Sequence, residues 1–434
     1  MTNTRTPNGR TIEPPRLCMV VHDYYPLDGR AVREARAARQ VGYEVDVICL
    51  TDVGQAKREV IDGVRVRRLA VSRNRGTGLL RMLREYLAFA TLAGMTAALY
   101  RVRNRAAARH IIQVHAPPDF LVVAGLAPKL LGSRLILDIH DLSRHLFLAR
   151  FQGRRAARAA NRLLALIERA ACAIADRVIT VHEPYREELI RNGVPASKVA
   201  VVMNAVDDDL IAGITPTNGT GAQAPQAGAK RPRGAPFKIA YHGSITPSYG
   251  VDLIVEALPH VLAQVPDVRC LILGGGDAVP ELEARAIELG VADKIVFSGS
   301  FLPIEIALSQ VAGADCGLIP NRPSELNRFA LSSKLFEYVA LGMPAVVARL
   351  ETLARHFDPE EVTFFEPGDP RSFARAITWV AMNPLEARAK AQRAGVRSRE
   401  YSWLEHRARY LEVLAPSDGF VVGGWPAADV QRVS

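Results

Sequence analysis

Cysteine is scarce in this chain and poorly placed for chemistry. The five residues Cys18, Cys49, Cys172, Cys270 and Cys316 lie far apart, mostly in apolar runs, with no C-x-x-C pair. That excludes a disulfide frame and a cysteine zinc site, leaving reduced core thiols of a cytoplasmic protein as the expectation. Long apolar runs are missing too. No stretch reaches the roughly 18 residues that a membrane-spanning helix needs. The opening MTNTRTPNGRTIEPP is polar, lacks a signal-peptide hydrophobic region, and reads as a flexible N-terminus over residues 1–15. A nucleic-acid-binding motif is also absent, despite a net charge of +10, so no nucleic-acid partner is expected.

What is present is a two-part α/β chain. Its 434 residues suffice for two or three domains. The charge is uneven: residues 1–235 hold 36 Lys+Arg against 21 Asp+Glu, and residues 236–434 hold 19 against 24. A strongly basic half implies an anionic partner. Short β-branched runs, Arg16–Val21, Glu44–Leu50, Val64–Ala70, His110–Ala116, Arg134–His140, Arg177–Glu183 and Val199–Ala205, mostly alternate with helical segments. This predicts a largely parallel sheet over residues 16–206. A stretch rich in Gly, Pro, Ala and Thr, Ala212–Pro236, then marks an interdomain linker with an insertion, set at 207–236. The same grammar restarts over 237–400. Two doubly wound Rossmann-like domains facing across a cleft are the expected fold class, with sites at strand C-termini. The segment YSWLEHRARYLEVL within 401–434 predicts a helix near the hinge, followed by a loose tail.

The densest signal is LSSKLFEYVALGMPAVV, Leu331–Val347. Ser332 or Ser333 can cap a short helix that Gly342 and Pro344 stop. Lys334 and Glu337 are one turn apart and point the same way. A first-turn lysine opposes the helix dipole unless an anion such as phosphate sits there. A carboxylate one turn on can accept hydrogen bonds from sugar hydroxyls. A plain surface ion pair is the competing reading. Gly274–Gly275–Gly276 follows the strand RCLIL, and GSITPSYG, Gly243–Gly250, follows KIAYH. Both loops suit a close backbone approach to a ligand, although the second lacks the G-K-[ST] ending of a P-loop.

In order, YHG, GVDLIVEAL, LILGGG, VFSG, AD, SKLFEYVALGMPAVV and FEPGDP resemble the donor domain of glycosyltransferase family 4, whose fold is GT-B. ADRVITV (Ala175–Val181) and VMNAVD (Val202–Asp207) resemble that family's interdomain approach, and the likeness spans about 16–412. The resemblance implies that Glu337 binds the nucleotide ribose and that Lys334 faces the diphosphate. It further implies that backbone around Gly243 and Gly274 lines the donor pocket, with Ser244, Gly275 and Ser333 beside it. Residues near Ser300–Leu302 would meet the base. Many members carry a second glutamate eight residues before Glu337, where this chain has Phe329, and an Arg and Lys in the first donor loop, where it has Ser244 and Tyr249. A subgroup with the S-K-L-x-E-Y pattern shares both changes. Asp28-Gly29-Arg30 stands where relatives often have paired glycines, which makes Gly29 a further donor-binding candidate.

His140 ends the strand RLILDIH. In the enzymes it resembles, a histidine there lies beside donor sugar and acceptor, so His140 joins Glu337 as a catalytic candidate. His115 has the same topology and a weaker claim. His115, His140, Asp141 and His145 match no standard metal spacing, and Asp207–Asp209 suits a helix cap, so no metal is expected. No cofactor is expected either, the nucleotide-sugar being a substrate. The implied activity is metal-independent, retaining transfer from a nucleotide-sugar to a lipid-linked or polysaccharide acceptor. The alternatives are an impaired nucleotide-sugar-binding scaffold or a nucleotide-sugar epimerase. Leu79–Arg105 and Arg150–Arg169 are basic helices that suit either an anionic membrane surface, placing the protein on the inner membrane face, or ordinary core packing.

Overall fold

The computed structural model describes residues 13–52, 54–71, 79–150, 157–216 and 234–415. Two compact units result: the described residues of 1–203 and 406–434 form the first, and 204–405 the second. The chain thus leaves the first unit after Met203 and returns to it after Glu405.

The first unit is built on eight strands: β1 (Arg16–Val20), β2 (Glu44–Leu50), β3 (Arg58–Ile61), β4 (Val64–Leu69), β5 (His110–Ala116), β6 (Arg134–Ile139), β7 (Arg177–Thr180) and β8 (Val199–Val201). Their order is β3-β4-β2-β1-β5-β6-β7-β8, parallel except for the β3–β4 hairpin. The reversal of order between β2-β1 and β5-β6 is the switch point where such sheets place ligands. Strands β1, β2, β5 and β6 are buried almost throughout, as their near-continuous apolar runs require of a sheet covered on both faces.

Three sequence expectations change here. The hairpin strand β3 went unread, although Asp62-Gly63 is a strong turn signal; both residues have positive φ, 47° and 75°. The strands expected to reach Glu183 and Ala205 stop at Thr180 and Val201. The reason is backbone capture by side chains. His182 accepts the Tyr185 N–H to cap the helix Glu183–Arg191, Arg30 donates to the Val202 carbonyl, and His406 accepts the Met203 N–H. The expected Arg150–Arg169 helix is instead Ser143–Arg150 and Ala157–Ile174.

The second unit carries β9 (Lys238–His242), β10 (Arg269–Leu273), β11 (Ile295–Phe297), β12 (Cys316–Ile319), β13 (Ala345–Ala348) and β14 (Thr363–Phe365). All pair in parallel, in the order β11-β10-β9-β12-β13-β14. Here the switch point lies between β9 and β12. β14 was not foreseen.

The ends of the expected segments shift as well. Within 1–15, Glu13 bridges to Ala107 and the Pro15 carbonyl accepts the Glu44 N–H; residues 1–12 lie outside the described residues. Of 207–236, Asp208–Ala212 is a helix capped by Asp207, Val206 bridges to Ser402, and Asp208 accepts the Leu404 N–H, so this stretch belongs to the second unit. The insertion over 217–233 and the tail after Ala415 lie outside the described residues. The helix Trp403–Leu414 forms as expected, and its residues from His406 on belong to the first unit. All five cysteines are buried and free.

A buried carboxyl in the first unit makes stability fall with pH. Asp119 opens the turn Asp119–Gly125 and is 2% exposed. Burial first, then the charge of Glu168, pushes it up to about 7, against the pull of Ser143. Between about pH 4 and pH 7 the unfolded chain ionises this group while the folded chain keeps its proton, so stability drops across that window and levels off above it. Asp119→Asn is expected to flatten the slope and gain up to about 4 kcal/mol at pH 8. Urea unfolding at pH 4.5 and pH 8 checks it; an unchanged slope would mean that Asp119 is ionised in the fold.

Candidate active site

The second unit assembles most of the donor-binding candidates around the C-terminal ends of β9 and β10. Gly243 follows β9, has φ 112°, and gives its N–H to the Leu273 carbonyl. A Cβ at Gly243 would lie 2.6 Å from Lys334 Cε. At Gly274 a Cβ would lie 1.8 Å from the Gly243 carbonyl oxygen, and at Gly276 2.0 Å from the Ile245 carbonyl oxygen. The glycine triplet therefore admits the neighbouring Gly243–Ile245 backbone rather than only a ligand. Gly275 is less constrained and faces the Phe301 ring. Ser298, which sequence reasoning left without a role, accepts the Gly274 N–H and donates to the Ser300 carbonyl, tying these loops together. The Ser244 carbonyl accepts from the Tyr241 hydroxyl.

Ser332 takes the N-cap backbone position of the helix Ser333–Ala340, yet its hydroxyl makes no cap bond. The Leu335 amide bonds to the Ser332 carbonyl, while the Ser333 and Lys334 amides are left without the side-chain oxygen expected from sequence. Lys334 sits in that first turn with Nζ 4.5 Å from the centre of the Tyr249 ring and 5.5 Å from that of Tyr241. Burial lowers its pKa, with Glu337 opposing. Two nearby arginines are otherwise engaged: Arg322 pairs with Asp252 and Arg328 with Glu351. Glu337 is one turn on from Lys334, its Oε2 2.9 Å from His242 Nε2. Phe329, at the position of the missing glutamate, is buried with the Arg328 guanidinium over its ring.

The remaining candidates, Gly29 and His140, lie in the first unit. Gly29 begins the helix Gly29–Gln40, which Asp28 caps; a Cβ there would meet only Arg33, at 3.4 Å, so the backbone does not require glycine. His140 Nε2 lies 3.1 Å from His115 Nδ1 and 3.3 Å from Asp138 Oδ2. Sequence reasoning missed Asp138, although a charged residue in a buried strand, two before His140 and so on the same face, is a legible signal. Arg30 grips Asp138 with two bonds of 3.0 and 2.8 Å and reaches Glu34 at 3.2 Å. Gln113 donates to Glu34 at 2.6 Å, and Tyr410 donates to Gln113 at 2.9 Å.

Burial opposes ionisation of Asp138, but Arg30 and then His140 outweigh it and hold the carboxyl well below its usual range. Burial likewise opposes charge on His140; Asp138 prevails and raises it. Burial pushes His115 down to about 4. Of the two rings, His140 is therefore the one that holds a proton more readily. His115, Asp138 and His140 also bring three metal-type donor atoms together. Both Asp138 oxygens already face Arg30, so an ion there would abut a guanidinium, and the set suits a shared proton better. Asp141 instead accepts from the Tyr185 hydroxyl, and Asp207 caps a helix.

Residues 29–205 match the glycosyl transferase 4-like domain, and residues 236–383 match the glycosyl transferases group 1 domain. The chain belongs to the family 4 glycosyltransferases. A D-inositol 3-phosphate glycosyltransferase of Kineococcus radiotolerans is 26% identical, over 82% of this chain and 81% of that one. A GDP-mannose-dependent alpha-(1-6)-phosphatidylinositol monomannoside mannosyltransferase of Mycolicibacterium smegmatis is 29% identical over 39% of this chain; the chain thus spans about half (46%) of that relative's length. Among solved structures, sucrose-phosphate synthase from Thermosynechococcus elongatus aligns with TM-score 0.70 at 17% identity, covering 92% of this chain and 98% of that one. Anabaena HepE in complex with UDP-glucose aligns with TM-score 0.66 at 16% identity, covering 92% and 99%. The family 4 chain has the GT-B fold.

Proposed function

We propose that this chain transfers a sugar from a nucleotide-sugar donor to a lipid-linked or polysaccharide acceptor, with retention and without a metal. The observation that carries the reading is the first turn of Ser333–Ala340. It joins amides without a side-chain cap, a lysine held against two tyrosine rings, and a carboxylate one turn on. In this reading the amides and Lys334 stabilise the departing diphosphate, Glu337 takes the ribose hydroxyls, and the diphosphate itself steadies the positive sugar. Residues near Ser300–Leu302, beside the exposed Phe301, meet the base. His140, backed by Asp138, orients the sugar or an acceptor hydroxyl. The relatives that use GDP-mannose and inositol phosphate acceptors by name favour a phosphorylated polar or lipid acceptor. A nucleotide-sugar-binding scaffold remains the second reading, because a buried Phe329 replaces the sugar-facing glutamate.

A thermal-shift screen against UDP-, dTDP- and GDP-sugars tests the donor class. Lys334→Ala is the discriminating variant. It is expected to weaken nucleoside-diphosphate binding about ten- to a hundredfold, the value of a lost charge-assisted hydrogen bond. Arg322→Ala and Arg328→Ala should change binding little, since both arginines are spent on Asp252 and Glu351. Calorimetry showing the reverse order would move the phosphate site into the preceding loop.

The basic half supports an anionic membrane surface as a further partner. Among the described residues, no helix is long and apolar enough to cross a membrane. The helix Leu79–Arg103 buries Phe89, Ala93 and Ala97 but exposes Leu83, Leu87, Met95 and Leu99 at four- or eight-residue spacing. Exposed Arg81, Arg84, Arg103 and Arg105 flank that stripe. An apolar stripe bordered by arginines fits the interface of an anionic bilayer. Met95→Glu with Leu99→Glu is expected to reduce co-sedimentation with phosphatidylglycerol vesicles at least about tenfold, leaving nucleotide binding intact. Equal sedimentation of variant and parent would leave the stripe without this role.

A further inference from the structure

We propose that His242 is a positioning residue that sets Glu337 for the ribose of the donor; the proposal rests on the donor-site reading above. His242 is the last residue of β9, directly before Gly243, and is buried. Its Nε2 lies 2.9 Å from Glu337 Oε2, with side-chain exposures of 6% and 15%. The imidazole packs edge-on to the Tyr338 ring, centroids 5.4 Å apart at 83°, so its orientation is fixed by the residue that follows Glu337. Tyr338 is itself locked: a Cβ at Gly317 would lie 2.3 Å from its ring.

A glutamate on an open helix turn samples several rotamers, and each loses entropy when a diol must be met in one geometry. His242 thus abuts Oε2 from the sheet side at 2.9 Å and narrows the rotamers open to the carboxylate. Lys334 lies one turn earlier on the same helix, turned to Tyr249 and Tyr241. The two ends of a nucleoside diphosphate are thereby divided, with diphosphate to the lysine turn and ribose to the histidine-set carboxylate. Support of a ligand-facing group by a second, buried side chain is how sites gain precision.

The test compares binding of UDP and GDP with that of their 2′,3′-dideoxy forms. In the parent protein the tighter nucleotide should lose about tenfold or more on removal of its ribose hydroxyls. His242→Phe keeps the ring against Tyr338 but removes the nitrogen. It should weaken the ribonucleotide about tenfold and the dideoxy form less than about twofold. His242→Gln, which returns an N–H donor, should regain most of the loss. Equal weakening of both forms, or of neither, overturns the positioning role. A parent protein that binds ribo and dideoxy forms alike overturns the ribose reading of Glu337, and one that binds none of UDP, dTDP and GDP overturns the donor site itself.

Discussion

Glu337→Ala is expected to lower kcat/KM for the nucleotide-sugar by about a hundredfold while leaving the second unit folded. The carboxylate is the group assigned to the two ribose hydroxyls, and losing charged hydrogen bonds to both costs about 3 kcal/mol, which is that factor. It is partly exposed and sits on a helix whose buried face is Leu335, Phe336, Tyr338 and Val339, so its removal opens no core cavity. Steady-state kinetics with the donor found by the screen measures it. A fall in kcat as well as a rise in KM would show that ribose binding energy is used at the reacting centre. A variant with unchanged transfer would remove Glu337 from the site. Loss of nucleotide binding in a protein whose cellular role persists would favour the scaffold reading instead.

The second large effect concerns stability rather than turnover. Arg30 is 4% exposed and is the cation that both Asp138 and Glu34 face. Burial pushes Glu34 up to about 8, so Asp138 is the charge that Arg30 holds; Arg30→Gln would leave that buried carboxylate with His140 as its remaining charge partner, and breaking a buried pair costs about 3–5 kcal/mol. For a unit of this size the unfolding temperature should fall roughly 10 °C. Arg30→Lys is not expected to rescue it, because the two parallel bonds to Asp138 need a planar fork. Differential scanning calorimetry decides the point, with Lys334→Ala in the second unit as the comparison. A shift below about 2 °C would mean that Asp138 is held by the His140 proton alone.

The features that proved legible in sequence are those whose geometry is set by a local pattern. Lys334 and Glu337 are one turn apart on a helix, and both the spacing and the start of that helix can be read from five letters. Strands β2 and β5 matched to the residue because each is a short run rich in Val and Ile, the composition of a buried parallel strand. Gly243 and Gly274 were found for a partly different reason than the one that requires them, which is the contact of one loop's carbonyl with the other's backbone. Arg30, Glu34, Gln113, Asp138 and Tyr410 were missed because their meaning lies in long-range partnership. Arg30 and Asp138 are 108 residues apart, and Gln113 and Tyr410 are 297 apart. No local window contains both halves of such a pair. His242 was hidden in the same way, since YHG reads as a strand end and its partner is on another element.

The last of those pairs has a consequence for how the protein is made. Tyr410 and His406, on the helix Trp403–Leu414, supply hydrogen bonds inside a unit whose other described residues end at Met203. The ribosome therefore delivers nearly all of the first unit, then the whole of 204–405, before the residues that finish the first. The contiguous second unit can reach its native state during synthesis. The first must wait some 200 codons without the Tyr410 bond to the Gln113 side-chain carbonyl and the His406 bond to the Met203 amide, exposed to chaperones and proteases for longer than its place at the start of the chain would suggest. Slowing translation late in the message would lengthen that wait, and the first unit would be the one to suffer.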